Sequence, residues 1–61
     1  MDWKENGTGY QGKEGEWSAY IKQDNVACMW KVFKSGVSKG AGFSDNIAIS
    51  KQKVQDVIDK G

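Results

Sequence analysis

The chain has 61 residues, with nine lysines and eight acidic residues but no arginine, histidine or proline, and only one cysteine. A chain of this length is expected to form one domain, residues 1–61, around a single thin core. Without histidine and with one cysteine, the common metal sites and the Ser-His or Cys-His catalytic pairs cannot be built. We therefore expect no enzyme, and neither a bound metal nor a cofactor.

Hydropathy and cysteine content also bear on location. The longest apolar run, residues 26–30, is far too short to span a membrane, and no basic leader precedes an apolar segment. We therefore expect no membrane partner. A single cysteine provides no disulfide framework, so the sequence predicts a reducing, cytoplasmic environment.

The first sixteen residues are rich in glycine. Asn6-Gly7 is a favourable pair for a tight turn, and it predicts a small ribbon of residues 2–5 and 8–12. Residues 7–12 also match the spacing G-x-G-x-x-G, but that fingerprint binds dinucleotides only between a strand and a helix. The segment is therefore interpreted as a glycine-rich turn, not a nucleotide site.

Period-two alternation of apolar residues predicts two strands, over residues 17–22 and 26–33. With a loop at residues 22–25, the apolar residues of both strands would share one face. The predicted pairs are Trp17 with Trp30, Ala19 with Cys28, and Ile21 with Val26. Cys28 is then expected to be a buried, inert side chain.

A third strand and a terminal helix complete the predicted fold. Ser35-Gly36 predicts a tight turn, followed by a glycine-weakened strand from Val37 to Phe43. Ser50 is a favourable helix N-cap, Val54 begins an apolar stripe, and Gly61 ends the helix. The sequence thus predicts an α+β fold, a three-stranded antiparallel meander with a possible N-terminal ribbon packed on one helix. The alternative is a small SH3-like barrel with a terminal helix.

The sheet face that the helix leaves free is the main candidate site. Residues 25–44 contain three lysines and no acidic residue, and aromatic residues are interleaved with these lysines. If Ser35-Gly36 is a two-residue turn, Ser38, Gly40 and Gly42 face outward on the third strand. The residues expected to bind a nucleic acid or another partner are Tyr20, Lys22, Met29, Lys31, Phe33, Lys34 and Lys39.

A second candidate site is the start of the helix. Free N–H groups, the hydroxyl of Ser50 and the side chains of Lys51 and Lys53 would together attract an anion such as a phosphate.

These features favour a small non-enzymatic module that binds nucleic acid. Lysines would contact phosphates while Tyr20 and Phe33 stack on bases. The lack of arginine argues against sequence-specific reading of the major groove. The alternative is a protein-binding adaptor or inhibitor, or a homodimeric regulator, that uses the same face or a sheet edge.

Overall fold

The computed structural model describes all 61 residues as a five-stranded antiparallel sheet packed against one helix. The elements are β1 (Asp2–Asn6), β2 (Gly9–Glu14), β3 (Trp17–Gln23), β4 (Cys28–Lys34), β5 (Val37–Ser44) and α1 (Ile47–Lys60). The predicted α+β architecture is confirmed, with five strands instead of three. The spatial order of the strands is β1-β2-β3-β4-β5, so β1 and β5 are free edges and the sheet is not a closed barrel.

The predicted N-terminal ribbon exists and is part of the sheet. Asn6 pairs with Gly9, so the turn residues are Gly7 and Thr8, not the predicted Asn6-Gly7. Gly7 has a φ of 62° and occupies the first turn position, where a type II′ turn needs glycine. Because β2 pairs with β3, residues 1–16 widen the sheet and leave its second face uncovered.

The central hairpin has a different register from the predicted one. Trp17 pairs with Lys34, Ala19 with Val32, and Ile21 with Trp30. The hairpin is offset by four residues because the connection lies at residues 24–27, where the amide of Asp24 donates to the carbonyl oxygen of Ala27. An even offset preserves the side of the sheet to which each residue points, so the predicted faces of β3 and β4 are correct.

The predicted Ser35-Gly36 turn is present, but an irregularity beyond it reverses the rest of β5. Both turn residues have positive φ, as a type I′ turn requires. Ser38 pairs with Phe33 while Gly40 pairs with Val32, so Lys39 is an extra residue in a β-bulge. The prediction that Gly40 and Gly42 face outward is therefore wrong, since the bulge turns both towards the helix.

The helix begins one turn earlier than predicted. Its N-cap is Asn46, whose side-chain oxygen accepts a hydrogen bond from the amide of Ile49 at 2.9 Å. Ser50 is completely buried inside the helix, and its hydroxyl bonds that of Ser44 at the end of β5. Gly61 caps the C-terminus as predicted. Helix α1 is neither long nor apolar enough to cross a membrane.

One layer of side chains between helix and sheet forms the core. Val54 of α1 packs against Ala19 and Val32, with all three tryptophans around this cluster. Cys28 is buried, as expected from the sequence, and its thiol is free. Burying a side chain such as Val54 contributes about 1.5–3 kcal/mol, so this single layer supplies much of the fold's stability.

An ion pair holds the amino-terminal end of the sheet. The α-amino group of Met1 lies 2.9 Å from Oε1 of Glu14. The hydrogen bond and the negative charge of Glu14 raise the pKa of this amino group above its ordinary value of 8.0. The folded state thus favours the charged form of the amine, and the charged amine in turn stabilises the folded state.

Replacement of Gly42 tests the bulge. A Cβ atom there would lie 2.8 Å from Cζ2 of Trp30, so Gly42→Ala should destabilise the domain by about 1–3 kcal/mol through overpacking. Ala41 faces the opposite side and is exposed, so Ala41→Ser should change the free energy of unfolding by less than about 0.5 kcal/mol. Urea unfolding of both variants measures the difference, and equal effects would contradict the assigned faces.

Replacement of Glu14 tests the ion pair. Because the folded-state pKa of the Met1 amine is raised, its contribution is complete below the unfolded pKa and is lost as the pH rises through the folded pKa. Glu14→Gln should therefore lower the melting temperature at about pH 7 and lose this disadvantage as the pH rises beyond the raised pKa of the amine. Glu16→Gln removes the same charge from an exposed turn residue and should show no such pH dependence.

Candidate binding face

The face of the sheet opposite α1, called here the open face, displays three side-chain positions on each strand. The strand pairings align these positions in three rows across the five strands. The fifteen residues are Asp2, Lys4 and Asn6 on β1, Gly9, Gln11 and Lys13 on β2, Ser18, Tyr20 and Lys22 on β3, Met29, Lys31 and Phe33 on β4, and Ser38, Ala41 and Phe43 on β5.

Positive charge dominates the open face. Each of the strands β1 to β4 contributes one lysine, namely Lys4, Lys13, Lys22 and Lys31, and Asp2 is the single acidic residue. None of these lysines has a carboxylate partner, since the Met1–Glu14 contact is the one ion pair in the molecule. Four ammonium groups are therefore free to meet an anionic ligand.

The acidic residues of the helix have other partners. Asp56 accepts a hydrogen bond from the side-chain amide of Gln52, and Asp59 accepts one from Gln55, each at 3.0 Å. Because α1 lies on the other side of the sheet, these carboxylates do not neutralise the open face.

Aromatic rings occupy the middle of the open face. Tyr20 and Phe33 are diagonal neighbours on β3 and β4, with ring centroids 6.2 Å apart and planes inclined by 19°. The ammonium group of Lys31 lies 6.0 Å from the centroid of the Tyr20 ring. Both rings are only partly buried, so nearly parallel aromatic surfaces and a cation occur together without a covering element.

The structure brings five of the predicted residues together on the open face: Tyr20, Lys22, Met29, Lys31 and Phe33. It places Lys34 and Lys39 away from the open face, and their role in binding stays a prediction. Lys34 pairs with Trp17 on the helix side, where its ammonium lies 5.3 Å from the indole centroid. Lys39 is the bulged residue. Together with Trp17 and Lys34 it lines a cleft beside the C-terminal end of α1.

The predicted anion site at the helix start is not formed. Its three residues lie inside the helix, because Asn46 and not Ser50 is the N-cap. Lys51 instead lies between rings of the N-terminal strands, 4.7 Å from the centroid of Tyr10 and 5.6 Å from that of Trp3. Lys53 is exposed on the helix.

Among the residues of the open face that the sequence prediction does not include, two lysines and one phenylalanine add most to its charge and apolar surface. Lys4 and Lys13 belong to the N-terminal ribbon, and they could have been found by extending the strand alternation through that ribbon. Phe43, which is 74% exposed, faces this side because of the bulge at Lys39. No local pattern in the sequence marks that bulge.

No group of three or more histidine, cysteine, aspartate or glutamate side chains is arranged to hold a metal ion.

Comparison of the chain with protein-family models, with curated proteins and with solved structures finds no match. The surface of the molecule itself is therefore the basis for proposing a function.

Proposed function

We propose that the open face binds single-stranded nucleic acid with little sequence preference and without catalysis. The observation that carries this proposal is the combination of four lysines without ion pairs and the paired rings of Tyr20 and Phe33 on one uncovered surface. Lysines on an exposed sheet attract phosphates, and aromatic rings between them offer stacking surfaces for bases.

The aromatic pair favours a single strand over a duplex. Bases in a single strand expose their faces and can stack on side chains, at about 1–3 kcal/mol per base. In a duplex the faces are already stacked, and only the groove edges remain accessible. Tyr20 and Phe33 would then contribute little, so the lysines alone would hold a duplex.

The type of cation supports low sequence preference. Lysine is a flexible point charge, whereas the planar fork of arginine makes bidentate contacts with guanine. The chain contains no arginine. Binding through lysines and stacking is expected to follow the backbone charge and to weaken steeply as salt is added.

Neutralising one lysine on each side of the sheet tests whether the open face is the binding surface. Lys31→Gln should weaken binding to a fluorescently labelled single strand and reduce the slope of log K against log salt by about 0.7. Lys53→Gln removes the same charge from the exposed surface of the helix and should change that slope far less. Fluorescence anisotropy measures both, with a hairpin duplex of matched length for comparison.

Two outcomes would contradict the proposal. Equal weakening by the two substitutions would show that total charge matters and that the open face does not. Absence of binding by the wild-type protein at low salt would remove nucleic acid as the ligand.

A second candidate function is self-association or protein binding, and the exposed edge strand supports it. β5 pairs only with β4, so its outer backbone groups are free, and Val37 and Phe43 on this strand are exposed. Such an edge can accept a strand from a second copy or from another protein.

This candidate predicts a salt-insensitive dimer in sedimentation velocity at about 100 µM. Phe43→Lys should dissociate the dimer, because a lysine on an edge strand opposes strand pairing and the apolar contact is lost. Lys53→Gln should leave the dimer intact. A wild-type monomer at this concentration would argue against self-association.

A further inference from the structure

An apolar groove lies at one end of the open face, beside the β3–β4 connection. Its volume is about 460 Å³, and it is lined by Lys22, Asp24, Val26, Ala27, Met29 and Phe43. Three of these residues, Lys22, Met29 and Phe43, share one row of the open face. The groove is therefore continuous with the surface proposed to bind nucleic acid.

The apolar walls of the groove are unusually exposed. Val26, in the β3–β4 connection, is 93% exposed, and Phe43 on β5 is 74% exposed. Large apolar side chains in such positions are in contact with solvent, and a ligand with flat apolar faces would cover them. An unpaired base has this shape and chemistry.

Asp24 is the one acidic residue among those that line the groove. Oδ1 of Asp24 accepts a hydrogen bond from the amide of Asn25 at 2.8 Å, which orients the side chain. Asp24 makes no ion pair with the neighbouring Lys22 or any other lysine. Its carboxylate therefore retains acceptor capacity for a donor within the groove.

We propose that the groove receives one unpaired base of the bound strand and that Asp24 selects a base with an exocyclic amino group. The inference rests on the function proposed above. A carboxylate accepts a hydrogen bond from the amino group of cytosine or adenine, whereas it repels the carbonyl oxygen O4 of uracil. Val26, Met29 and Phe43 supply the apolar contact, and Lys22 supplies a cation for an adjacent phosphate.

Two single strands that differ only along the Watson–Crick edge of the base provide the test. Oligo(dC) and oligo(dU) of about eight nucleotides carry the same charge. Cytosine has an amino group at position 4 and a bare N3, whereas uracil has the carbonyl oxygen O4 and an N3–H group. Anisotropy titrations at about pH 7.5 should show wild-type binding to oligo(dC) at least about tenfold tighter, as one additional hydrogen bond to a charged acceptor would give.

Asp24→Asn is the informative variant. The asparagine side-chain oxygen can still accept from the amide of Asn25, which conserves the local turn, while its NH₂ group would now face O4 of uracil favourably. The ratio of the two affinities should fall to one or below. Asp59→Asn removes the same charge from the helix, remote from the groove, and should keep the wild-type ratio.

Phe43→Ala tests whether the groove, and not the rest of the open face, determines the preference for oligo(dC). It should reduce the preference for oligo(dC) while circular dichroism and thermal unfolding remain close to wild type, because the ring is mostly exposed. Wild-type affinities for the two strands within twofold of each other, or a ratio that Asp24→Asn leaves unchanged, would overturn the inference alone. Failure of both strands to bind would instead overturn the proposed function.

Discussion

Contact between one helix and one face of the sheet is the constraint on which this structure depends. Val54 meets Ala19 and Val32 in a single buried layer, and no second layer exists. The other face has no covering element, and its side chains carry charge and aromatic surface.

Strand parity explains why the sequence predicts this division of faces. Side chains alternate along a strand, so the positions of Tyr20 and Lys31 follow from the apolar pattern of their neighbours. The predicted hairpin register is wrong by four residues, yet an even error leaves each side chain on its predicted side. The sequence therefore predicts which residues of the central hairpin share a face, although the predicted pairs between its strands are wrong.

Features that depend on tertiary contacts could not be predicted in the same way. The bulge at Lys39 adds one residue and so inverts parity, which moves Gly40 and Gly42 beneath Trp30 and exposes Phe43. Both asparagine and serine are good N-caps, and local preference alone does not decide between Asn46 and Ser50. The hydrogen bond between the hydroxyls of Ser50 and Ser44 forms only when the helix has docked on β5.

The one-sided core also determines what the tryptophans can report. All three indoles lie on the helix side, packed around the buried cluster. Their emission is therefore sensitive to separation of helix and sheet, whereas a molecule on the open face meets tyrosine and phenylalanine rings and no indole. Intrinsic tryptophan fluorescence of this domain is consequently a signal of folding, and occupancy of the open face has to be followed by a label on the ligand.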